Sequence, residues 1–125
     1  MLVTALALAL AAPAREPPTP ATAAPVAVPA RAVRWLIHYI GTRDYPAEAR
    51  RLHQQGRVAF EMTIGFDGRP LSCRVIDSSG SPSLDEATCR IMRSRARFHP
   101  ARDAFGNPTI DRIRHSINWI LPGGG

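Results

Sequence analysis

Ten consecutive residues constrain the fold of this chain more than any others. Val58, Phe60, Met62, Ile64 and Phe66 alternate with Arg57, Ala59, Glu61, Thr63 and Gly65. A period of two places one apolar row on one face of a strand, and that row needs another element to cover it. Asp67-Gly68 follows, a dipeptide that accepts positive φ in a tight hairpin turn. Leu71, Cys73 and Val75 then continue an inward face against Ser72 and Arg74, so segments 57–66 and 70–77 are expected to form a hairpin. Near the end of the chain, Ile113, His115, Ile117 and Trp119 alternate with Arg112, Arg114, Ser116 and Asn118, which predicts a last strand.

Helical signals fall between and before these strands. Tyr45-Pro46 opens a short helix to about Gln55, ended by Gly56, with Ala49 and Leu52 facing inward. Ser83 with Glu86 three residues later makes a capping box, and Asp85 adds favourable charge at that helix start. Leu84, Ala87, Thr88, Ile91 and Met92 form a stripe at helical spacing, predicting a helix over 83–95. The run 33–41 is apolar and ambiguous between strand and helix. The predicted class is α+β: a ββαβ unit with a three-stranded antiparallel sheet of order 2-1-3, one main helix and a short preceding helix. The last strand then lies on an edge, where unpaired backbone groups can take a further strand.

The first third of the chain reads differently. Six of the twelve prolines precede residue 30. Residues 1–14 begin with the apolar MLVTALALALAA and read as a signal peptide or short apolar segment. Residues 15–32 read as a Pro/Ala-rich linker, and 33–122 as the domain. No apolar run reaches the ~18 residues of a membrane-spanning helix.

A domain of that size buries a modest core and often needs a staple. Cys73 on the second strand and Cys89 on the helix flank are placed to meet. In an exported chain they are read as a disulfide, and in a reducing compartment as two buried thiols behaving as small hydrophobes.

All sixteen basic residues are arginine and the net charge is +6. That balance admits nucleic acid, anionic lipid or an acidic polymer without choosing among them. Arg90, Arg93, Arg95, Arg97 and Arg102 cluster, but no aromatic residues interleave with them as a stacking platform would need, so they read as a solvated helix face and nucleic acid is not the expected partner. Ser78-Ser79-Gly80 reads as a turn and Asp85 as a helix-start charge rather than parts of a hydrolase, since no GxSxG elbow is present. His115 reads as a core histidine, His99 as an exposed loop residue, and Trp35 and Trp119 as core or rim packing. No catalytic residue, metal site or cofactor is predicted.

Tyr45-Pro46 with Ala49, Gly56-Arg57-Val58, Asp67-Gly68, Ser78-Ser79-Gly80, Leu84-Asp85 with Ala87, and Phe98-x-Pro100-Ala101 stand in one order that resembles the C-terminal domain of TonB, over roughly residues 43–121. TonB links the proton-motive complex of the inner membrane to outer-membrane receptors. The resemblance implies a domain without catalytic residues whose last strand pairs with a short receptor peptide, the TonB box. Carried onto this sequence, the contact falls on Ile110, Arg112, Arg114, Ser116, Asn118 and Ile120. The stretch ahead of the short helix, Thr42, Arg43 and Tyr45, is implied as a second contact. Thr42 stands where better-known members carry glutamine. The implied partners are a TonB-dependent receptor and the inner-membrane complex, in the periplasm; a homodimer follows if the edge strand pairs with its own copy. The alternatives are a free-standing envelope interaction domain and, from charge alone, a nucleic-acid-binding module.

Overall fold

A computed structural model describes residues 22–122. Residues 1–14 and the first part of the 15–32 stretch, to residue 21, lie outside the described residues. The sheet is antiparallel and consists of β1 (Gly56–Ile64), β2 (Pro70–Asp77) and β3 (Asp111–Trp119), in the order β2-β1-β3. A short helix, α1 (Ala47–Arg51), precedes it, and the long helix α2 (Pro82–Arg95) connects β2 to the segment before β3. The expected class, strand order and helix count are those of the structure.

The alternating row drives the packing. Val58, Phe60, Met62 and Ile64 are completely buried, and α2 covers them with Leu84, Ala87, Thr88, Ile91 and Met92. A fully buried side chain of this kind contributes about 1.5–3 kcal/mol, so the four β1 residues outweigh the exposed ion pairs at ~0–1 kcal/mol each. Trp119 closes the core at the far end of β3. Its indole Nε1 donates to Thr88 Oγ1 at 2.8 Å, and the Thr88 hydroxyl donates to Leu84 O at 2.8 Å. Cys73 and Cys89 are joined in a disulfide, pinning β2 to α2.

The turn between β1 and β2 needs its glycine twice. Gly68 has φ +81°, and a Cβ there would stand 1.9 Å from Phe98 O. The close approach lets Phe98 N donate to Gly68 O at 2.9 Å, which ties the hairpin tip to the chain after α2.

Four local expectations are corrected. The cap of α2 is Ser81, whose hydroxyl accepts from Leu84 N, because Pro82 takes the first helical position; Ser83 instead donates to Glu48 Oε2. Helix α1 ends at Arg51, because His53 enters the left-handed region at φ +52°, and this turns Leu52 out to solvent. Phe66 and Leu71 lie beyond the cover of α2 and are exposed, since periodicity assigns a face but not a lid. Residues 33–41 form neither strand nor α-helix but a 3-10 turn at Leu36–Tyr39, followed by another at Thr42–Asp44.

Candidate functional site

Both outer strands of the sheet are edges, and they differ. Pairing of β2 with β1 is irregular at Ala59/Phe60 and at Thr63/Ile64, and β2 opens with Pro70. Bulges and proline are the usual means of blunting an edge. Pairing of β3 with β1 runs in unbroken register over nine residues, from Asp111–Ile64 to Trp119–Gly56. Among the described residues no strand pairs with the outer side of β3.

A strap of chain borders that open edge. Ala27 N and Val28 N both donate to Arg102 O, Arg31–Ala32 pairs with Phe98–His99, and Val33 N donates to Arg97 O. The Arg97 amide also donates to the Tyr39 hydroxyl. Arg95 then grips the end of the strap: its guanidinium donates to both carboxylate oxygens of Asp44, at 2.7 and 2.8 Å, and to Tyr39 O. The Arg95 hydrogen bond, with a smaller contribution from the Gly41 amide, holds the Asp44 carboxyl below its ordinary value. Between strap and β3 runs a groove of 710 Å³ walled by Ala30–Ile37 on one side and His115, Ser116 and Ile117 on the other. A second hollow of 210 Å³ continues along the edge, between Ile37, Ile40 and Thr42 and the stretch Ile117 to Ile120 at the end of β3.

The residues singled out from the sequence fall in several places. Ser116 lines the main groove, while Thr42, Tyr45, Asn118 and Ile120 meet at the second hollow. Ile120 is exposed; Ile110 is buried at the entry to β3. Tyr45 is also buried, with its ring edge-on to Trp119 at 5.3 Å between centroids and its hydroxyl donating to Gln54 O. Arg43 lies apart, in a basic hollow with Asp44, Arg90, Ser94 and Arg95. Arg112 and Arg114 share the sheet face away from α2, where Glu61 accepts from Arg114 Nε at 3.0 Å and from Arg74 at 3.1 Å. Those two bonds, Arg114's the stronger, lower the Glu61 pKa. Ser79 and Asp85 do come together, as a loop latch: Asp85 accepts from the Ser78 and Ser79 hydroxyls and from Ser79 N. Burial works to raise the Asp85 pKa and these bonds outweigh it, so the net direction is down.

Two side chains depart from the core or rim positions expected of them. Trp35 is 79% exposed on the strap, and His115 is exposed on β3; both line the main groove. The groove walls desolvate the His115 imidazole and hold its pKa below 6.5. Arg31, Val33, Arg34 and Ile37 were absent from the expected contact set, yet they wall the same groove. The only signal for Val33, Arg34 and Ile37 is the apolar run 33–41 itself, whose exposure no periodicity reveals, and Arg31 falls in the stretch read as a linker.

The family model for the C-terminal region of the Gram-negative bacterial TonB protein matches residues 42–121. Among solved structures, the chain is similar to the solution NMR structure of the Pseudomonas aeruginosa TonB CTD, with a TM-score of 0.55 and 21% identity, covering 77% of this chain and 90% of that one. At that identity the likeness speaks for the fold alone. No curated protein sequence matches. With the family model spanning both helices and all three strands, the chain belongs to the TonB C-terminal domain family.

Proposed function

We propose that this chain is a periplasmic binding domain that receives an extended receptor peptide on the outer edge of β3 and takes part in energy-coupled transport across the outer membrane. The observation that carries the reading is the contrast between the two edges: β3 is regular, has no partner on its outer side among the described residues and is flanked by a groove, whereas β2 is irregular and stapled. The groove and the second hollow together border the chain from His115 to Ile120, the stretch a paired strand would follow. Backbone hydrogen bonds supply affinity in such an addition, and alternate side chains read the pockets beside it.

The partner is a TonB-dependent outer-membrane receptor presenting its TonB box. Coupling to the inner-membrane proton-motive complex would pass through the chain ahead of the strap. The mechanism is mechanical: a peptide paired to β3 is gripped by many bonds at once, so load on this domain reaches the receptor. Ser116 and Asn118 lie beside the paired edge, and Thr42, Ile120 and the basic Arg43 hollow extend the contact. The same open edge allows a second copy of this chain to pair there. Titration calorimetry of the full chain with plug-end peptides from receptors of the same organism tests the reading. Binding at micromolar to submillimolar Kd, lost for scrambled peptides, supports it. No heat with any such peptide at millimolar concentration overturns it.

A further inference from the structure

One end of the sheet presents apolar side chains to solvent. Ile64 pairs with both Pro70 and Asp111, so the 65–69 turn, the start of β2 and the segment leading into β3 share that end. That segment is a small hairpin, Ala101–Arg102 against Pro108–Thr109. The bond from Phe98 N to Gly68 O ties its root to the turn, and Val28 exchanges backbone bonds with Arg102. Phe105 at the hairpin tip is 90% exposed, and Phe66, Leu71 and Val28 are exposed at the same end.

The tip is held rigidly. Asp103 Oδ1 accepts from Phe105 N at 2.9 Å and Asn107 N at 3.0 Å. Asp103 N donates to Asn107 O, Gly106 N to Asp103 O, and the Arg102 guanidinium to Gly106 O. Five hydrogen bonds therefore fix a short loop whose ring is left to solvent. A single exposed apolar residue needs no explanation; a braced phenylalanine among three further exposed apolar residues does.

We propose that this end of the domain docks on an anionic bilayer surface, with Phe105 entering the headgroup region and Arg31, Arg69 and Arg102 facing lipid phosphates. Three observations favour a bilayer over a protein partner. Phe105, Phe66 and Leu71 stand on separate tips, and the hollow of 580 Å³ at this end, which Val28, Arg31 and Arg102 help to line, takes in none of the three; a fluid interface accepts separate points, and aromatic rings suit its depth. The chain carries a net charge of +6, and at this end Arg31, Arg69, Arg102 and Arg112 outnumber Asp67, Asp103 and Asp111, with Asp67 lying 3.8 Å from Arg69; the small local excess complements anionic lipid. Thr109 Oγ1 donates to Ala24 O at 2.6 Å, so the chain enters the described structure at this end, and the apolar sequence 1–12 lies only about a dozen residues further upstream.

The test uses the full chain, isotopically labelled, with lipid nanodiscs that carry a spin label at the headgroup. Discs of phosphatidylcholine with phosphatidylglycerol are compared with discs of phosphatidylcholine alone. The expected result is amide broadening confined to residues 65–69 and 102–107, strong with anionic discs and weak with neutral ones. Phe105→Ser should weaken disc affinity about tenfold, the loss expected when one ring is withdrawn from an apolar phase, with the Tm unchanged. Arg69→Ser should weaken it less and flatten the salt dependence. Absence of broadening at 102–107, whether or not the chain binds the discs, overturns the proposal. So does lipid-independent, concentration-dependent broadening that Phe105→Ser abolishes, which would mean that the tip contacts protein.

Discussion

The two edges of one small sheet differ in what they leave for another strand. On the β2 side, a proline, two register irregularities and a disulfide to α2 leave little for another strand to pair with. On the β3 side, nine residues run in regular register, and the neighbouring strap stands off to leave a groove. The covalent staple lies on the first flank and the open, regular edge on the second. A domain of this size with two equally open edges would risk pairing with itself through both.

If the β2 flank is the structural one, damage there should lower stability and leave the β3 groove intact. The largest effect is expected for Gly68→Ala. Its Cβ would collide with Phe98 O and its φ of +81° disfavours any side chain. A loss on the order of 3–4 kcal/mol should appear in urea unfolding. A loss under 1 kcal/mol would show that the tip does not rest on Phe98. Next comes the double replacement Cys73→Ser, Cys89→Ser. The bridge spans 16 positions in sequence, and opening a loop of that length costs about 3 kcal/mol in the chain-entropy model. Peptide affinity of the variant, measured while it is still folded, should be that of the parent; a tenfold fall would join the two flanks that are here held separate.

Acid probes the strap. The Asp44 carboxyl titrates below its ordinary 3.8 because Arg95 stabilises its charged form. A depressed folded pKa contributes stability that is present above the unfolded value and is lost as pH falls through the folded one. The shift of the Gly41 amide, which donates to Asp44 Oδ2 at 2.6 Å, should therefore report the carboxylate directly and show its titration midpoint below 3.8. A midpoint above 3.8 would mean that Arg95 does not grip the strap. The smallest stability change is expected for Trp35→Ala, within about 0.5 kcal/mol, because the indole lies in solvent. The same variant should weaken peptide binding several-fold; unchanged affinity would remove the strap from the contact.

Much of the fold was legible. The row Val58 to Ile64 and the stripe Leu84 to Met92 each follow a period that one element satisfies, and both are buried as that period requires, while the Asp67-Gly68 turn follows from glycine's tolerance of positive φ. What escaped has physical causes. Periodicity names the face on which Phe66 and His115 lie but not whether anything covers them, and α2 does not extend over either. The strap is held chiefly by backbone hydrogen bonds, which any sequence can make, so its docking left no side-chain pattern. Trp35 in an apolar run looks like core until its neighbours are known. The cap at Ser81 was readable, since Pro82 suits a first helical position, but the Ser83–Glu86 pair carried the louder signal.

The central claim is that β3, and not β2, is the edge that receives a partner strand. Backbone amide NMR of the full chain, titrated with a TonB-box peptide from the same organism, tests it most directly. The account predicts shifts and slowed amide exchange along Asp111 to Trp119, with smaller shifts over Ala30 to Thr42, while Pro70 to Asp77 stays unchanged. Protection appearing along Pro70 to Asp77, with Asp111 to Trp119 unmoved, would contradict it.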